Sequence, residues 1–349
     1  MNIAFFISDH GLGHLMRNIP VIRCLVSSGH KAVLICSENH INIAKTYLQD
    51  LNISYFTCNT DVGLFVVPGT LKIDKVKTAT AVSSFINQFP DYIKLALKIF
   101  TEYHIDRVVV DIVPWALLAS KQYGIKSYFM ANFTWVEQYK DFISSSSIKV
   151  LEDAFKSADV VLYYELANDQ VKKLLGDGID IGFVARPFNQ SCVQEIRKGY
   201  TNPIVYISIG ASNSGLENKI NVEHLPYDFI CTEKLNFVGR NVTVIPKSTP
   251  NTQDFVKAAD YCIAKAGWGT VAEIMLAQKR FALLRRPDVY EDTYTINEIE
   301  RLNVGIGINV SDLSNMSSIL MQLQNYNLHK RQYTNGEFYK LNLVNPFDL

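Results

Sequence analysis

The chain has 349 residues, 48% of them hydrophobic, and a mean hydropathy near zero, which suits two domains that each bury a core. Thirty-four Lys and Arg balance thirty-four Asp and Glu, and no polybasic block occurs, which argues against a nucleic-acid binder. No apolar run approaches the ~20 residues that span a bilayer, so at most peripheral membrane contact is expected.

Met1-Asn2 runs straight into an apolar stretch, without a basic leader or a cleavage site. Ile3–Ile7 reads as a strand. Leu15, Ile19, Ile22 and Val26 then recur at helical spacing up to Gly29. Pro20 implies that this helix starts late or kinks. Ala32–Cys36 and Ile53–Thr57 are the next strands. "VGLFVVPGTL", Val62 to Leu71, is an apolar insertion in the first domain. It reads as an acceptor wall, a membrane-touching loop or a plain buried loop. Ser83–His104 is a long helical pattern interrupted at Pro90. Arg107–Val110, a helix from Pro114, and Lys126–Ala131 form a strand–helix–strand unit, and "DVVLYYE" and "DIGFVA" add two more strands.

Strands this apolar are buried on both faces, as in parallel sheets covered by helices. The alternation predicts an open, doubly wound α/β sheet. The pattern restarts at "IVYISIGASNSG" and continues through "ADYCIAKAGWGTVAEIMLAQKRFALLRRP". Two Rossmann-like domains are therefore expected, 1–185 and 186–349, with the cleft between them as the default site. A final helix over Leu328–Tyr339 is expected, able to pack back on the first domain. The six cysteines, Cys24, Cys36, Cys58, Cys192, Cys231 and Cys262, form no C-x-x-C pair or zinc spacing. They fit free thiols in a reducing cytoplasm.

Five places carry chemistry. "GLGHLM" is a glycine-rich strand-to-helix turn with Gly11, Gly13 and His14, but Met16 stands where a dinucleotide fingerprint needs its third small residue, and no Walker lysine follows. His14 either packs the turn or faces the mouth of the sheet. Asp111 ends "RVVVD" and either caps the next helix or orients an imidazole on the same rim. "GASNSG" can cradle phosphate or be an ordinary turn. In "KAGWGTVAEIM", Gly267 and Gly269 flank a helix start, and Thr270 with Glu273 spells a capping box. Glu273 alternatively accepts two ribose hydroxyls. Lys265 and Arg285–Arg286 add positive charge there, or are plain surface charge. Glu291, Asp292 and Asn297 open or line a later helix and suit its dipole.

Together these pieces resemble the GT-B glycosyltransferases, with echoes of family 28 (the peptidoglycan N-acetylglucosaminyltransferases) and of the glycosyltransferase-like domain joined to L-arabinokinases. "GLGHLMR" is similar to the family's G-x-G-H-x-x-R, "VVVDIVPWALLASKQYGIKSYFMANFTW" to its D-x-x-P…NFSW block, and the Lys265–Pro287 block to its donor-site G-x-G-T-x-x-E. The likeness runs roughly from Met1 to Ile308. It implies a hexosyl- or N-acetylhexosaminyltransferase with His14 as base and Asp111 as its orienting acid. Gly11, Gly13, Arg17 and Asn132 would lie on the acceptor side. Gly210, Ala211, Ser212, Asn213 and Ser214, with Gly267, Gly269 and Thr270, would hold a donor diphosphate. Glu273 would bind ribose, and Lys265, Asp292 and Asn297 would complete the donor site. Lys265 replaces the His of the family's H-G-G, and Asp292-Thr293 replaces its D-Q pair, which leaves the sugar open.

The expected reaction needs no metal or cofactor, since no D-x-D motif occurs, and attack opposite the leaving group would make it inverting. Its substrates would be a UDP- or TDP-sugar and a glycan, lipid-linked or small-molecule hydroxyl. A nucleotide-sugar hydrolase or epimerase, or a silent nucleotide-sugar-binding protein, are the competing readings.

Overall fold

The computed structural model describes residues 1–68, 70–209, 219–233, 235–246, 248–286, 288–326 and 332–336. The chain divides into two compact units. The first comprises Met1–Phe65 and Asp74–Ala185 together with the chain end, of which Asn335 and Gly336 are described; the second comprises Val66–Ile73 and Arg186–Thr334. The apolar insertion Val62–Leu71, read from sequence as part of the first domain, is thus divided: from Val66 onward the chain, up to Ile73, groups with the second unit. Its Ile73 N–H reaches the Asp288 carboxylate at 3.4 Å.

In chain order the first unit holds β1 (Asn2–Ile7), α1 (Leu12–Ser27), β2 (Lys31–Cys36), α2 (Glu38–Leu48), β3 (Ile53–Thr57), α3 (Lys75–Asn87), α4 (Phe89–Glu102), β4 (Arg107–Asp111), α5 (Pro114–Tyr123), β5 (Lys126–Ala131), α6 (Trp135–Tyr139), α7 (Ser145–Phe155), β6 (Val160–Tyr164), α8 (Asp169–Leu175) and β7 (Ile179–Gly182). Its seven strands are ordered β3-β2-β1-β4-β5-β6-β7 and pair in parallel. β1 is buried on both faces from Ile3 to Ile7, as its unbroken apolar run requires. Phe6 packs edge-on against Trp115 and Phe100, with centroids at 5.3 and 5.9 Å.

The second unit follows with α9 (Gln190–Lys198), β8 (Ile204–Ser208), β9 (Ile220–Asn221), β10 (Asp228–Thr232), β11 (Phe237–Val238), β12 (Val242–Ile245), α10 (Thr252–Ala258), β13 (Tyr261–Lys265), α11 (Trp268–Ala277), β14 (Arg280–Leu284), α12 (Tyr290–Arg301), β15 (Ile306–Ile308) and α13 (Met316–Gln324). Its main sheet runs β12-β10-β8-β13-β14-β15, again parallel. Both sheets therefore have the doubly wound order in which the strand sequence reverses beside the first strand. That reversal opens a crevice at the carboxyl ends of β1 and β4 in one unit, and of β8 and β13 in the other.

Three local expectations change. α1 begins at Leu12, well before Pro20, and carries Pro20 in its interior, so the late start does not occur. Gly11, at φ 74°, supplies the left-handed entry that turns the strand directly into the helix. Ser83–His104 is two helices that meet at Gln88, with Pro90 in the first turn of α4, where a missing N–H costs little. Of the expected final helix only 332–336 is described, and that part ends in a turn. There the Asn335 side chain bonds both the N–H and the C=O of Ala185.

Candidate active site

The crevice of the first unit is furnished from α1 and from the end of β4. Parallel register sets Ile7 beside Asp111, so the turn after β1 and the carboxylate ending β4 share one rim. One helical turn of α1 then lays His14, Arg17 and Asn18 on a single buried face, at i, i+3 and i+4. All three converge on Asp111, which is fully buried. His14 Nδ1 lies 2.8 Å from Asp111 Oδ1. Arg17 donates from Nε to Oδ2 at 2.7 Å and from Nη2 to Oδ1. Asn18 donates to Oδ2 and to the His14 carbonyl. Arg17 Nη1 reaches Asn132 Oδ1 at 2.8 Å, and the guanidinium lies 4.6 Å from the centroid of the Tyr164 ring.

Asp111 is not a helix cap. The residue before α5 is Val113, and no side chain caps that helix. The chain leaves Asp111 through Ile112, a buried β-branched residue at φ 61°. Such a backbone is costly and persists only where the surroundings enforce it. Burial pushes the Asp111 carboxyl up, but the opposing charge of Arg17, then of His14, outweighs it and leaves the group at about 2. The carboxylate is therefore ionised at neutral pH. Burial, and next the charge of Arg17, lower the proton affinity of His14 despite Asp111. Its imidazole is neutral at neutral pH.

The turn that carries His14 is itself pinned. Asp9 accepts from the Ser37 N–H and from the N–H and hydroxyl of Thr60, at 2.8, 2.8 and 2.9 Å. Asp61 accepts from the Ser8 hydroxyl and the Asp9 N–H. Burial pushes the Asp61 carboxyl up to about 7. His40, on α2, donates from Nε2 to the Gly11 carbonyl at 3.0 Å. Gly13 is exposed, and a Cβ there would meet nothing within 4 Å. The space above the turn is thus open to a close-lying ligand.

Arg17 and Asn132, expected on the acceptor side, instead sit beneath the imidazole as its support; both are buried. Asn18, Asp9, Asp61 and His40 escaped the sequence reading. The signal that marks Asn18 is a polar residue placed four positions after His14, on the same helix face.

In the second unit the corresponding crevice lies where β8 and β13 end, with Ser208 beside Ala264 in register. Gly210 to Ser214, expected from the sequence to cradle the diphosphate, lie outside the described residues. Lys265 ends β13, half-buried, and burial, then Arg286, lowers its ammonium to about 8. Gly267 is the residue before α11; no side chain caps the helix, and a Cβ on Gly267 would meet open space. Gly269 and Thr270 fall in the first turn. The capping box is therefore absent, because the helix starts at Trp268, two residues before Thr270, and its N-cap is Gly267. Glu273 is buried and its Oε1 accepts from Arg186 Nη2 and Nε, at 2.8 and 3.2 Å. Asp292, fully buried in the first turn of α12, takes a two-pronged bond from Arg286 at 2.5 and 2.7 Å. Asn297 is exposed, five residues further on and so about 140° around the helix, and does not join Asp292.

No family model matches the chain. It is 23% identical over 324 residues to an L-arabinokinase of Arabidopsis thaliana, a match that takes in 89% of this chain and 30% of that protein. The chain thus spans under a third of the length of this relative. Among solved structures it is similar to Phytolacca americana UGT2 complexed with UDP-2fluoro-glucose and pterostilbene (TM-score 0.63, 12% identity, 94% of this chain and 91% of that one). It is similar also to the spinosyn forosaminyltransferase SpnP (TM-score 0.62, 14% identity, 93% and 90%). The chain has the GT-B fold. Both doubly wound sheets, and the rims that carry His14 and Lys265, are parts of that architecture.

Proposed function

We propose that the protein is a glycosyltransferase that moves a sugar from a nucleotide diphosphate donor to a hydroxyl acceptor. The observation that carries this reading is the neutral His14 imidazole bonded through Nδ1 to an ionised, buried Asp111 at the crevice of the first sheet. A hydroxyl is a poor nucleophile and needs a base as it attacks the anomeric carbon. His14 takes that proton on Nε2. The imidazolium that forms is stabilised by Asp111, whose charge faces it across one hydrogen bond. Attack opposite the leaving group inverts the anomeric centre.

The second unit holds the donor. The uncapped amides that open α11, the open space at Gly267 and the Lys265 ammonium suit a diphosphate. The same groups stabilise the leaving nucleotide without a metal. Glu273, fixed by Arg186, has Oε2 to offer a ribose hydroxyl. UDP is the first nucleotide to test, since it is part of the donor analogue bound in the UGT2 structure.

The test is a thermal-shift screen of UDP-, TDP- and GDP-sugars, followed by assay of nucleotide release with a panel of hydroxyl acceptors. Binding stabilises the fold by mass action. The expected result is acceptor-dependent nucleotide release with an inverted glycoside as product. Equal release of free sugar without acceptor makes the protein a hydrolase, and binding without any turnover makes it a silent binder.

A further inference from the structure

His14 Nδ1 has two neighbours that cannot both bond to it. Asp111 Oδ1 lies at 2.8 Å and Arg17 Nη2 at 2.9 Å. An ionised carboxylate only accepts, and a guanidinium only donates. A proton on Nδ1 satisfies Asp111 and leaves Arg17 to spend its own hydrogens on Asp111 and Asn132. Without that proton, the nitrogen lone pair would face the carboxylate oxygen at hydrogen-bonding distance. The first arrangement leaves Nε2 with its lone pair free, and among the described residues no hydrogen bond is made to Nε2.

We propose that Arg17 is a positioning residue for His14: its fork fixes Asp111 so that the imidazole keeps its proton on Nδ1, and its charge keeps a second proton off Nε2. A carboxylate alone beside an imidazole favours the charged ring, and a ring already charged cannot act as a base. Arg17 cancels most of that charge while its bonds to both carboxylate oxygens hold the acid in place. Its own position is overdetermined by Asn132 and by the Tyr164 ring. Among the described residues, His40 from α2 is the further titratable group that acts on His14, and it also opposes a positive imidazole. Phe133, with its centroid 5.9 Å from that of the His14 ring, adds no charge.

NMR of the full chain labelled at histidine tests this directly, with His14 assigned among the seven histidines by its loss in His14→Gln. In the wild type, His14 should stay neutral, with its proton on Nδ1, to below pH 6.5, the ordinary value. In Arg17→Met it should become charged at least one pH unit higher, a tenfold gain in proton affinity. Arg17→Lys keeps the charge but loses the fork, so it should titrate close to wild type and show the Nε2–H tautomer as well. Unchanged titration in Arg17→Met, or an Nε2–H ring in the wild type, overturns the proposal. Should Arg17→Met fail to fold, Arg17→Lys decides: an unaltered pure Nδ1–H ring there overturns the role of the fork. Only the kinetic arm rests on His14 being the base. The acid limb of turnover should move up in pH with the NMR titration, at unchanged donor KM. A titration that shifts without the kinetics counts against the base and leaves Arg17's role standing.

Discussion

The two crevices share one strand order and are furnished in opposite ways. In the first unit, acid and imidazole bond to each other, and the arginine beneath them is spent on that acid. In the second, the buried acids Glu273 and Asp292 are taken up by arginines, Glu273 by Arg186 and Asp292 by Arg286, while Gly267 opens onto free space and the half-buried Lys265 ends β13. On the proposed reading, the first arrangement moves a proton and the second receives an anion. The same fold thus supplies two places, and the side chains at each decide its chemistry.

Four results would break or sharpen this contrast. The largest effect is expected from Asp111→Asn. It should lower turnover about a hundredfold, because the imidazole loses the charge that orients it. It also leaves Arg17 buried without its partner, so stability should fall by roughly 3–5 kcal/mol; denaturant melts separate the two losses. Next, Glu273→Gln should weaken UDP binding about tenfold, the worth of one charge-assisted bond, as calorimetry would read it. It should also destabilise the fold, since Arg186 loses its ion pair, whereas Thr270→Ala should change stability by no more than about 0.5 kcal/mol. The reverse ranking would restore the capping box.

The third result concerns acid. The folded value of His14 lies below the unfolded 6.5, so the unfolded chain binds that proton more readily and stability drops as pH falls below 6.5. Asp111, at about 2 against 3.8, adds a second loss between 3.8 and 2. His14→Gln should remove the first loss and keep the second in denaturant titrations across that range. The smallest effect is expected from EDTA. Turnover should be unchanged if, as proposed, Lys265 and the α11 amides serve the diphosphate; loss restored by magnesium or manganese would contradict that.

The sheets were legible because buried parallel strands write themselves as apolar runs, as in Ile3–Ile7 and Arg107–Val110. Asp111 beside His14 was legible for the same reason, since two neighbouring parallel strands end on one rim. The start of α1 was not, because Pro20 argues locally for a late start and only the pinned turn at Gly11 overrides it. Thr270-x-x-Glu273 misled because a capping box holds only if Thr is the residue before the helix, and here Gly267 is. Arg186 could not be foreseen as the partner of Glu273: the two are 87 positions apart and meet only in the folded chain. Arg17 was placed on the acceptor side, since nothing local says that a charged side chain will be buried under its neighbour.

The central claim is that the first crevice supplies the base and the second holds the donor. The most direct measurement is therefore turnover and UDP affinity of His14→Ala, side by side, with a donor identified by the thermal-shift screen. The account predicts that turnover falls by roughly two to four orders of magnitude while the Kd for UDP stays within error of wild type. Near-normal turnover in the folded variant would contradict it, as would a loss confined to UDP binding.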